Sequence, residues 1–311
     1  MLKKKEISNL EQIVSQTKLP KFLSARKQKT LKKSLYFNGI GLHTGNIVSM
    51  ELKPAPEDTG IIFRKRLNKN NVALIPAHYS NVKSTNLCTL LSDSYGNTVS
   101  TVEHILSALY AFEVDNVFID IDSNEIPVYD GSSKEFSRQL KNAEFDEQHS
   151  YKKFIKIKKN VEILYKNKCA RVSPFDNTLI TTEIEYDHKS IGKQTISLIL
   201  TQNIYDTQIS NARTFGFLND VQDLREKGLA LGGSLDNAIV LDEKKVLNKE
   251  GLRFSDEFVR HKLLDFIGDI SLSGHRILGS FFTSHPGHEL NYKLLKKVFD
   301  SKDNWELVCS N

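Results

Sequence analysis

The chain has 311 residues, of which 39% are apolar, and it contains three cysteines. This length can fill two domains of ordinary size, and no apolar run approaches the roughly 18 residues that a membrane-spanning helix needs. The start of the chain lacks the apolar core of a signal peptide. An odd number of widely spaced cysteines without a CxxC pair argues against a disulfide framework and against a thiolate zinc site. The sequence therefore predicts a cytoplasmic protein.

Positive charge is concentrated at the beginning of the chain. Residues 1–33 carry ten Lys or Arg and two Glu, a net charge of +8 within a total of +5, so the remainder is slightly acidic. That distribution is not typical of a nucleic-acid-binding domain. Residues 1–28 are predicted to be a basic extension, either a solvated appendage or a segment that can touch anionic lipid or RNA. A short amphipathic helix within it is predicted from Ile7, Leu10, Ile13 and Val14.

The first half of the chain reads as strands, then a helix, a strand and a second helix. Apolar patterns between turn-like breaks predict strands over 48–52, 59–65 and 71–77. The next predicted elements are a helix over 100–112, a strand over 116–122 and a helix over 130–140. Ser132 and Glu135 have the spacing of a capping box at the start of that second helix.

A charged stretch over 146–153, DEQHSYKK, is predicted to be a linker, and the second half then repeats the order of the first. Strands are predicted over 154–163, 178–186 and 195–200, a helix over 219–228 and an apolar run over 238–241. A long helix, a strand and a last helix follow over 256–273, 276–282 and 288–299. The repeated order predicts an α+β fold with two domains of similar plan, 29–147 and 152–308.

The segment FVRHKLLDFIG (258–268) lies on the longest predicted helix. At 100° per residue, His261, Asp265 and Asp269 fall within about 80° of one another, with Lys262 at the edge of the same stripe. A solvated face is the alternative interpretation, and for an isolated HxxxD it is the usual one. Two details favour a site instead. Asp265 and Asp269 repel each other at i, i+4 spacing, and Phe258 lies inside the polar stripe.

A third metal ligand must come from elsewhere in the chain, and His104 in STVEHILSALY is the candidate. On the predicted helix it shares a face with small residues, which lets another element approach closely: Ser107, Ala108 and Ala111. The adjacent Glu103 has two interpretations. Its spacing from Ser100 fits a capping box, whereas its position beside His104 fits a catalytic base.

His104, His261 and Asp265 together match the ligand set of a catalytic zinc site, which keeps one position open for water. Zinc lowers the pKa of bound water to about 7, so hydroxide is available at neutral pH. A carboxylate beside that water, here Glu103, would serve as general base. The combination of residues is more specific than any member taken separately.

Hydrolysis of an amide or ester also needs a proton for the leaving group. His288, in SHPGHELN at the start of the last predicted helix, is the candidate donor. A helix N-terminus disfavours a protonated imidazole, so a nearby carboxylate must hold the ring charged. Asp269, one turn beyond Asp265, is the candidate for that carboxylate.

Three segments resemble signature segments of the UDP-3-O-acyl-N-acetylglucosamine deacetylase (LpxC) family: STVEHILSALYAFEVDN, FVRHKLLDFIGD and GHELNYKLL. This family comprises zinc amidases of lipid A synthesis in Gram-negative bacteria. The resemblance continues in family order over roughly residues 29–308, through GIGLHTG, LKPAPEDTGIIF, EIPVYDGSS, ARTFGF and GLALGGSLDNAIVL.

The resemblance implies one Zn²⁺ on His104, His261 and Asp265, although two histidines and a carboxylate also suit Fe²⁺. It implies Glu103 as the base, with His288 as the acid or electrostatic partner. The implied fold has two α+β domains, each a β-sheet layered with two α-helices, and the active site lies between them.

Further roles are implied for residues around that site. Thr214 is implied to hold the oxyanion or the scissile carbonyl, and Phe215 to line the site. Lys262 and Lys168 are implied to bind the nucleotide-sugar portion, and Gly233 to lie near the acyl-chain passage. The expected substrate is UDP-3-O-acyl-N-acetylglucosamine, with acetate released by a monomer that contacts the membrane surface at most transiently.

Two alternative functions remain at this point. One is a zinc amidase that acts on another acylated amino sugar. The other is a non-catalytic RNA-binding protein that uses the basic extension, although no predicted strand alternates aromatic and basic residues as single-strand binders do. No nucleic acid is therefore expected as a partner.

Overall fold

The computed structural model describes residues 25–68 and 70–310. The amphipathic helix predicted over residues 7–14 lies outside the described residues, as does most of the predicted basic extension. No helix in the described part of the chain is both long enough and apolar enough to cross a membrane.

Within residues 25–68 and 70–151, the structure has ten strands and two helices. In chain order the strands are Lys27–Leu31 (β1), Leu35–Ile40 (β2), Ile47–Pro54 (β3), Ile61–Arg66 (β4), Val72–Pro76 (β5), Val82–Ser84 (β6), Leu90–Ser92 (β7), Thr98–Val99 (β8), Val117–Ile121 (β9) and Phe145–Tyr151 (β10). The helices are Glu103–Ala111 (α1) and Lys134–Asn142 (α2), and a single 3₁₀ turn covers Tyr79–Asn81.

Five of these strands form a mixed sheet in the order β2-β3-β9-β4-β5, in which only β9 and β4 run parallel. Side chains alternate across the sheet, as the period of two requires. Phe37 on β2 is buried and meets Phe136 on α2 with ring centroids 5.4 Å apart, whereas Tyr36 beside it is exposed. Helix α2 therefore covers one face of this sheet.

The second half contains nine strands and three further helices. The strands are Lys153–Ile157 (β11), Val161–Tyr165 (β12), Lys168–Ser173 (β13), Thr178–Tyr186 (β14), Gly192–Ile199 (β15), Phe215–Phe217 (β16), Ile239–Leu241 (β17), Arg276–Ser284 (β18) and Trp305–Cys309 (β19). The helices are Leu218–Glu226 (α3), Glu257–Ser271 (α4) and His288–Phe299 (α5), and a helical turn Gln202–Ile204 continues into a π-helical segment Tyr205–Ile209.

Seven of these strands form a second sheet around the long strand β18. β18 pairs with β11, β13 and β14, and the sheet continues to β19, β12 and β15. Phe266 on α4 packs edge-on against Phe281 of β18 with centroids 5.4 Å apart, and α5 lies against β12 and β13. The fold is therefore α+β, and each half of the chain supplies one of the two larger sheets.

Helices α1 and α4 meet where the two halves of the chain pack together. Gly268 allows this approach, because a Cβ at that position would lie 2.1 Å from the carbonyl oxygen of Glu103. Contacts this short between helix backbones require a residue without a side chain. The start of α1 and the middle of α4 are thus held in direct contact, and both carry candidate site residues.

Four local predictions are wrong. The single strand predicted over 154–163 is divided into β11 and β12, which are separated by residues 158–160. The predicted linker 146–153 instead contributes most of β10, which pairs antiparallel with β1. β1 starts at Lys27, so the fold begins before the predicted end of the basic extension. The capping box at α2 is also absent, since the cap residue is Ser133 and the Glu135 carboxylate accepts hydrogen bonds from Arg138.

Candidate metal centre and active site

Helix α1 begins at Glu103 and His104, and both side chains are buried. The capping-box interpretation of Glu103 is wrong. Its carboxylate does not close back onto the helix start at Ser100; Oε2 accepts a hydrogen bond from the backbone N–H of Thr89 at 3.1 Å. The carboxylate is therefore directed into the interior of the molecule beside His104.

Helix α4 turns His261, Asp265 and Asp269 toward the same interior, and each is at most 4% exposed. The solvated-face interpretation of FVRHKLLDFIG is consequently wrong. Phe258, which lies inside the polar stripe, is fully buried and packs edge-on against Phe215 with centroids 5.0 Å apart. The stripe faces another part of the protein and not solvent.

The side chains of His104, His261 and Asp265 converge on one point. One ligand atom from each lies within 4.8 Å of the other two, and Asp265 Oδ1 is 3.3 Å from His261 Nε2 and 3.7 Å from His104 Nε2. His261 Nδ1–H donates to the backbone carbonyl of Ala212 at 3.0 Å, which leaves the Nε2 lone pair free. Two imidazole nitrogens and one carboxylate oxygen are the donors that Zn²⁺ or Fe²⁺ takes, so this set fits a metal ion.

The protonation states around this point also suit metal binding. Burial lowers the pKa of His261 to about 3, so the imidazole is neutral and can act as a ligand. Burial acts to raise the pKa of Asp265, but the surrounding side chains, among them the Lys262 ammonium, outweigh it and hold that pKa well below its usual range. Lys262 Nζ donates to Asp265 Oδ2 at 3.1 Å, which leaves Oδ1 on the side of the histidines.

His288 lies on the other side of Glu103, at the first residue of α5. Its Nδ1–H donates to Asp269 Oδ2 at 2.8 Å, and its Nε2 is 3.8 Å from Glu103 Oε1. Burial acts to lower the pKa of His288, but the carboxylates of Asp269 and Glu103 outweigh it and raise that pKa to about 10. The imidazole is therefore cationic at neutral pH, as predicted for a group that donates a proton.

Glu103 shows the opposite balance to Asp265. Burial raises the pKa of its carboxyl, and the nearby His288 and His104 only partly offset that effect. A carboxylate with a raised pKa is a stronger base, which is the property that a general base needs. The pair Glu103 and His288 thus combines a proton acceptor and a proton donor across less than 4 Å.

Two residues of this network were missed by sequence reasoning. Asn291, one turn beyond His288 on α5, donates from Nδ2 to Asp269 Oδ2 at 2.8 Å. Thr89, in the irregular segment before β7, donates from Oγ1 to Asp269 Oδ1 at 2.6 Å. The i, i+3 spacing from His288 could have indicated Asn291, whereas no local pattern marks Thr89.

A cavity of about 330 Å³ opens beside these groups. Lys168, Thr214, Phe215 and Lys262 all line it, so the structure brings four of the five predicted substrate-contacting residues together with the candidate metal ligands. Lys262 Nζ lies 5.3 Å from the centroid of the Phe215 ring. Tyr165, which sequence reasoning did not single out, lines the same cavity.

The backbone of Thr214 is fixed on both sides. Its N–H donates to the carbonyl of Gly131 at 2.7 Å, and its own carbonyl accepts from Ile239 N–H at 2.8 Å. Gly131 has a φ of +82°, and a Cβ there would lie 2.1 Å from the carbonyl oxygen of Asn237. Only glycine fits this position, so Thr214 and the start of β16 are held close to the turn before α2.

Gly233 does not line the cavity. It belongs to a loop whose neighbouring residues bond to the segment that precedes β3: Leu231 N–H donates to His43 O and Gly232 N–H to Leu42 O, both at 3.0 Å. His43 and Leu42 line the cavity themselves. The loop of Gly233 is thus one residue layer away from the cavity wall.

Comparison with known proteins identifies the family of the chain. The family model described as UDP-3-O-acyl N-acetylglycosamine deacetylase (LpxC) matches residues 28–300. A protein of Idiomarina loihiensis named UDP-3-O-acyl-N-acetylglucosamine deacetylase is 46% identical over 284 residues, which cover 91% of this chain and 92% of that protein. Proteins of the same name from Histophilus somni and Pasteurella multocida are each 44% identical, over 91% of this chain and 93% of theirs. The chain therefore belongs to the UDP-3-O-acyl N-acetylglycosamine deacetylase family.

Proposed function

We propose that this protein hydrolyses the acetamide of UDP-3-O-acyl-N-acetylglucosamine and releases acetate, a step of lipid A biosynthesis. The names of its relatives supply the substrate. The observation that carries the proposal is the convergence of His104, His261 and Asp265 within 4.8 Å, with Glu103 and His288 beside them. This is the arrangement of a metal-dependent amide hydrolase.

His104 Nε2, His261 Nε2 and Asp265 Oδ1 are the atoms that we propose hold one Zn²⁺, with Fe²⁺ as the alternative ion. When bound, such an ion acts as a Lewis acid that acidifies water and polarises a carbonyl. The chain contributes the neutral imidazole of His261, the ionised carboxylate of Asp265 and a buried, shaped surrounding. The Ala212 carbonyl fixes the orientation of the His261 ring.

Glu103 and His288 divide the proton transfers. Glu103 Oε2 is held by the Thr89 N–H, so Oε1 is the atom that takes a proton from the attacking water. The water oxygen then attacks the acetamide carbonyl carbon and forms a tetrahedral adduct. The C–N bond of this adduct breaks. His288 Nε2 donates a proton to the departing amine nitrogen, while His288 Nδ1–H keeps its hydrogen bond to Asp269 Oδ2. The products are acetate and the free amine.

The cavity residues have positioning roles in this scheme. Thr214 stabilises the oxyanion or the carbonyl, and the hydrogen bonds of its backbone N–H and carbonyl keep it in place. Phe215 lines the site, and Lys262 and Lys168 attract the anionic nucleotide-sugar portion. Gly233 is assigned to the acyl-chain side on the family resemblance, and its loop lies behind Leu42 and His43.

The organisation of the chain is part of the same proposal. We propose two domains with the site between them, close to the predicted 29–147 and 152–308 but with the first extended to include the whole of β1 and β10. This division accords with one larger sheet from each half. The protein is proposed to be cytoplasmic, in line with its cysteine content, and to act as a monomer. The RNA-binding alternative rests on the basic extension, most of which lies outside the described residues, and family membership favours the enzyme.

Acetate release and metal content test this function. We expect the native protein to release acetate from UDP-3-O-acyl-N-acetylglucosamine, and Glu103→Ala to lose activity by several orders of magnitude while it retains the metal. A metal-free, inactive native protein refutes the proposal. Equal activity on UDP-N-acetylglucosamine without the 3-O-acyl chain would favour an amidase of another amino sugar. Full activity of Glu103→Ala would overturn only the base assignment.

A further inference from the structure

Thr89 contacts both carboxylates that flank His288. Its backbone N–H donates to Glu103 Oε2 at 3.1 Å, and its side-chain Oγ1 donates to Asp269 Oδ1 at 2.6 Å. His288 completes a ring of four residues, since its Nδ1 bonds to Asp269 and its Nε2 points to Glu103 Oε1. Thr89 comes from the segment before β7, so a third part of the chain holds α1 and α4 at the site.

We infer that Thr89 is a positioning residue for the proposed hydrolysis. It holds the carboxylates of Asp269 and Glu103 so that each offers its remaining oxygen to His288. The inference rests on the proposed function of Glu103 and His288. Thr89 itself lines no part of the cavity and touches no reacting atom, so its effect passes through the two carboxylates.

The hydrogen bonds to Asp269 explain why the hydroxyl matters. Oδ2 accepts from His288 Nδ1 and from Asn291 Nδ2, both at 2.8 Å, while Oδ1 has Thr89 Oγ1 as its donor among the described residues. Thr89 is 2% exposed, and Asp269 is equally buried. Without the hydroxyl, Oδ1 is a buried carboxylate oxygen with no donor, and the carboxylate gains by rotating away from the geometry that His288 needs.

Substitutions at Thr89 can separate its contact with Asp269 from its contact with Glu103, because the hydrogen bond to Glu103 comes from the backbone. A substitution at Thr89 leaves the N–H in place, so the Glu103 half of the arrangement persists. Thr89→Val keeps the size and branching of the side chain and removes only the donor to Asp269. Thr89→Ser keeps the donor and removes a methyl group, and Thr89→Ala removes both.

A matched control is available in the second sheet. The Thr178 side chain is fully buried and donates from Oγ1 to the Ile277 carbonyl at 2.8 Å, so Thr178→Val removes an equally buried hydroxyl away from the cavity. We expect Thr178→Val to keep the native kcat even where its thermal midpoint falls. This control measures what the loss of a buried threonine hydroxyl does in general.

The test is steady-state acetate release by the metal-loaded native protein and these variants. Partners that orient catalytic groups typically contribute 10- to 100-fold, so we expect kcat of Thr89→Val and Thr89→Ala to fall about 10- to 100-fold with KM unchanged. Thr89→Ser should restore most of the native kcat. Should Thr89→Val fail to fold, the Ala and Ser variants give the same comparison.

A second readout does not depend on turnover. In protein with ¹⁵N-labelled histidine, the ¹H resonance of His288 Nδ1–H reports its bond to Asp269, and we expect it to move in Thr89→Val but not in Thr89→Ser. A native kcat in Thr89→Val overturns the inference, as does an equal loss in the Val and Ser variants or an unmoved resonance. If the native protein releases no acetate, the proposed function fails, while the resonance still decides whether Thr89 holds Asp269.

Discussion

Gly268→Ala tests how tightly helices α1 and α4 set the site. The added Cβ would lie 2.1 Å from Glu103 O and 2.8 Å from Glu103 Cα, and the first distance is about 1.3 Å short of ordinary contact at 3.4 Å. The neighbouring atoms are helix backbone, so a side-chain rotation cannot relieve the clash. Helix α1 must move by about 1 Å, and Glu103 and His104 move with it.

The magnitudes decide the direction of both effects. Overpacking of this kind costs about 1–3 kcal/mol, whereas alanine in place of a helical glycine gains about 0.5–1 kcal/mol, so the net change in unfolding free energy is destabilising. A displacement of about 1 Å at a reacting group costs about 10²-fold in rate. We therefore expect kcat for acetate release to fall about 100-fold, while the protein remains folded.

The assay compares kcat, metal content and the urea unfolding midpoint of Gly268→Ala with those of Gly216→Ala. An added Cβ at Gly216 meets nothing within 4 Å, so this control adds the same methyl group without a clash. We expect Gly216→Ala to keep the native kcat. A Gly268→Ala variant with native kcat and native stability would refute the account of the α1–α4 contact.

Three further outcomes are expected. His288 acts in its protonated form, so activity is present below its pKa of about 10 and is lost as pH rises through that value. In Asp269→Asn the alkaline limb of the kcat profile should move down by about 1–3 pH units. An unmoved limb would argue against the pairing of His288 with Asp269. Glu257→Gln removes the buried partner of Arg213 and should lower the unfolding free energy in urea by about 3 kcal/mol, with a loss below about 1 kcal/mol counting against that ion pair. Lys262→Met should raise KM for the nucleotide sugar about 10- to 100-fold with the metal retained, and an unchanged KM would remove Lys262 from substrate binding.

The longest helices were predictable because their buried residues recur at helical spacing in the sequence. The predictions 256–273 and 288–299 agree with α4 and α5 to within two residues, and 178–186 agrees with β14. Helices α4 and α5 pack their apolar residues against the second sheet, and β14 lies within that sheet, so the local pattern and the fold agree.

Strand β10 could not be predicted in the same way. Its sequence FDEQHSY is polar, and all of its side chains are half-buried or exposed, with none fully buried. What makes it a strand is its partner β1, more than 100 residues away and itself basic enough to read as part of an extension. A strand held by backbone pairing at the edge of the core leaves little periodic signal.

The site residues also divide into those that a local sequence pattern predicts and those that it does not. His261 and Asp265 follow from one helical face, and His104 from a second helix with small neighbours. The role of Glu103 could not be decided locally, since a capping box and a buried base have the same spacing from Ser100. Thr89 meets Asp269 across 180 residues, and only the folded chain brings them together.

The central claim is that His104, His261 and Asp265 hold one catalytic metal ion. It is tested most directly by the metal content of the purified native protein and of His261→Ala, measured by inductively coupled plasma mass spectrometry. We expect about one Zn²⁺ or Fe²⁺ per native chain, and a tenfold or greater loss in the variant because two remaining ligands bind weakly. An active native protein without metal, or a His261→Ala variant that keeps one tightly bound ion, would contradict the account.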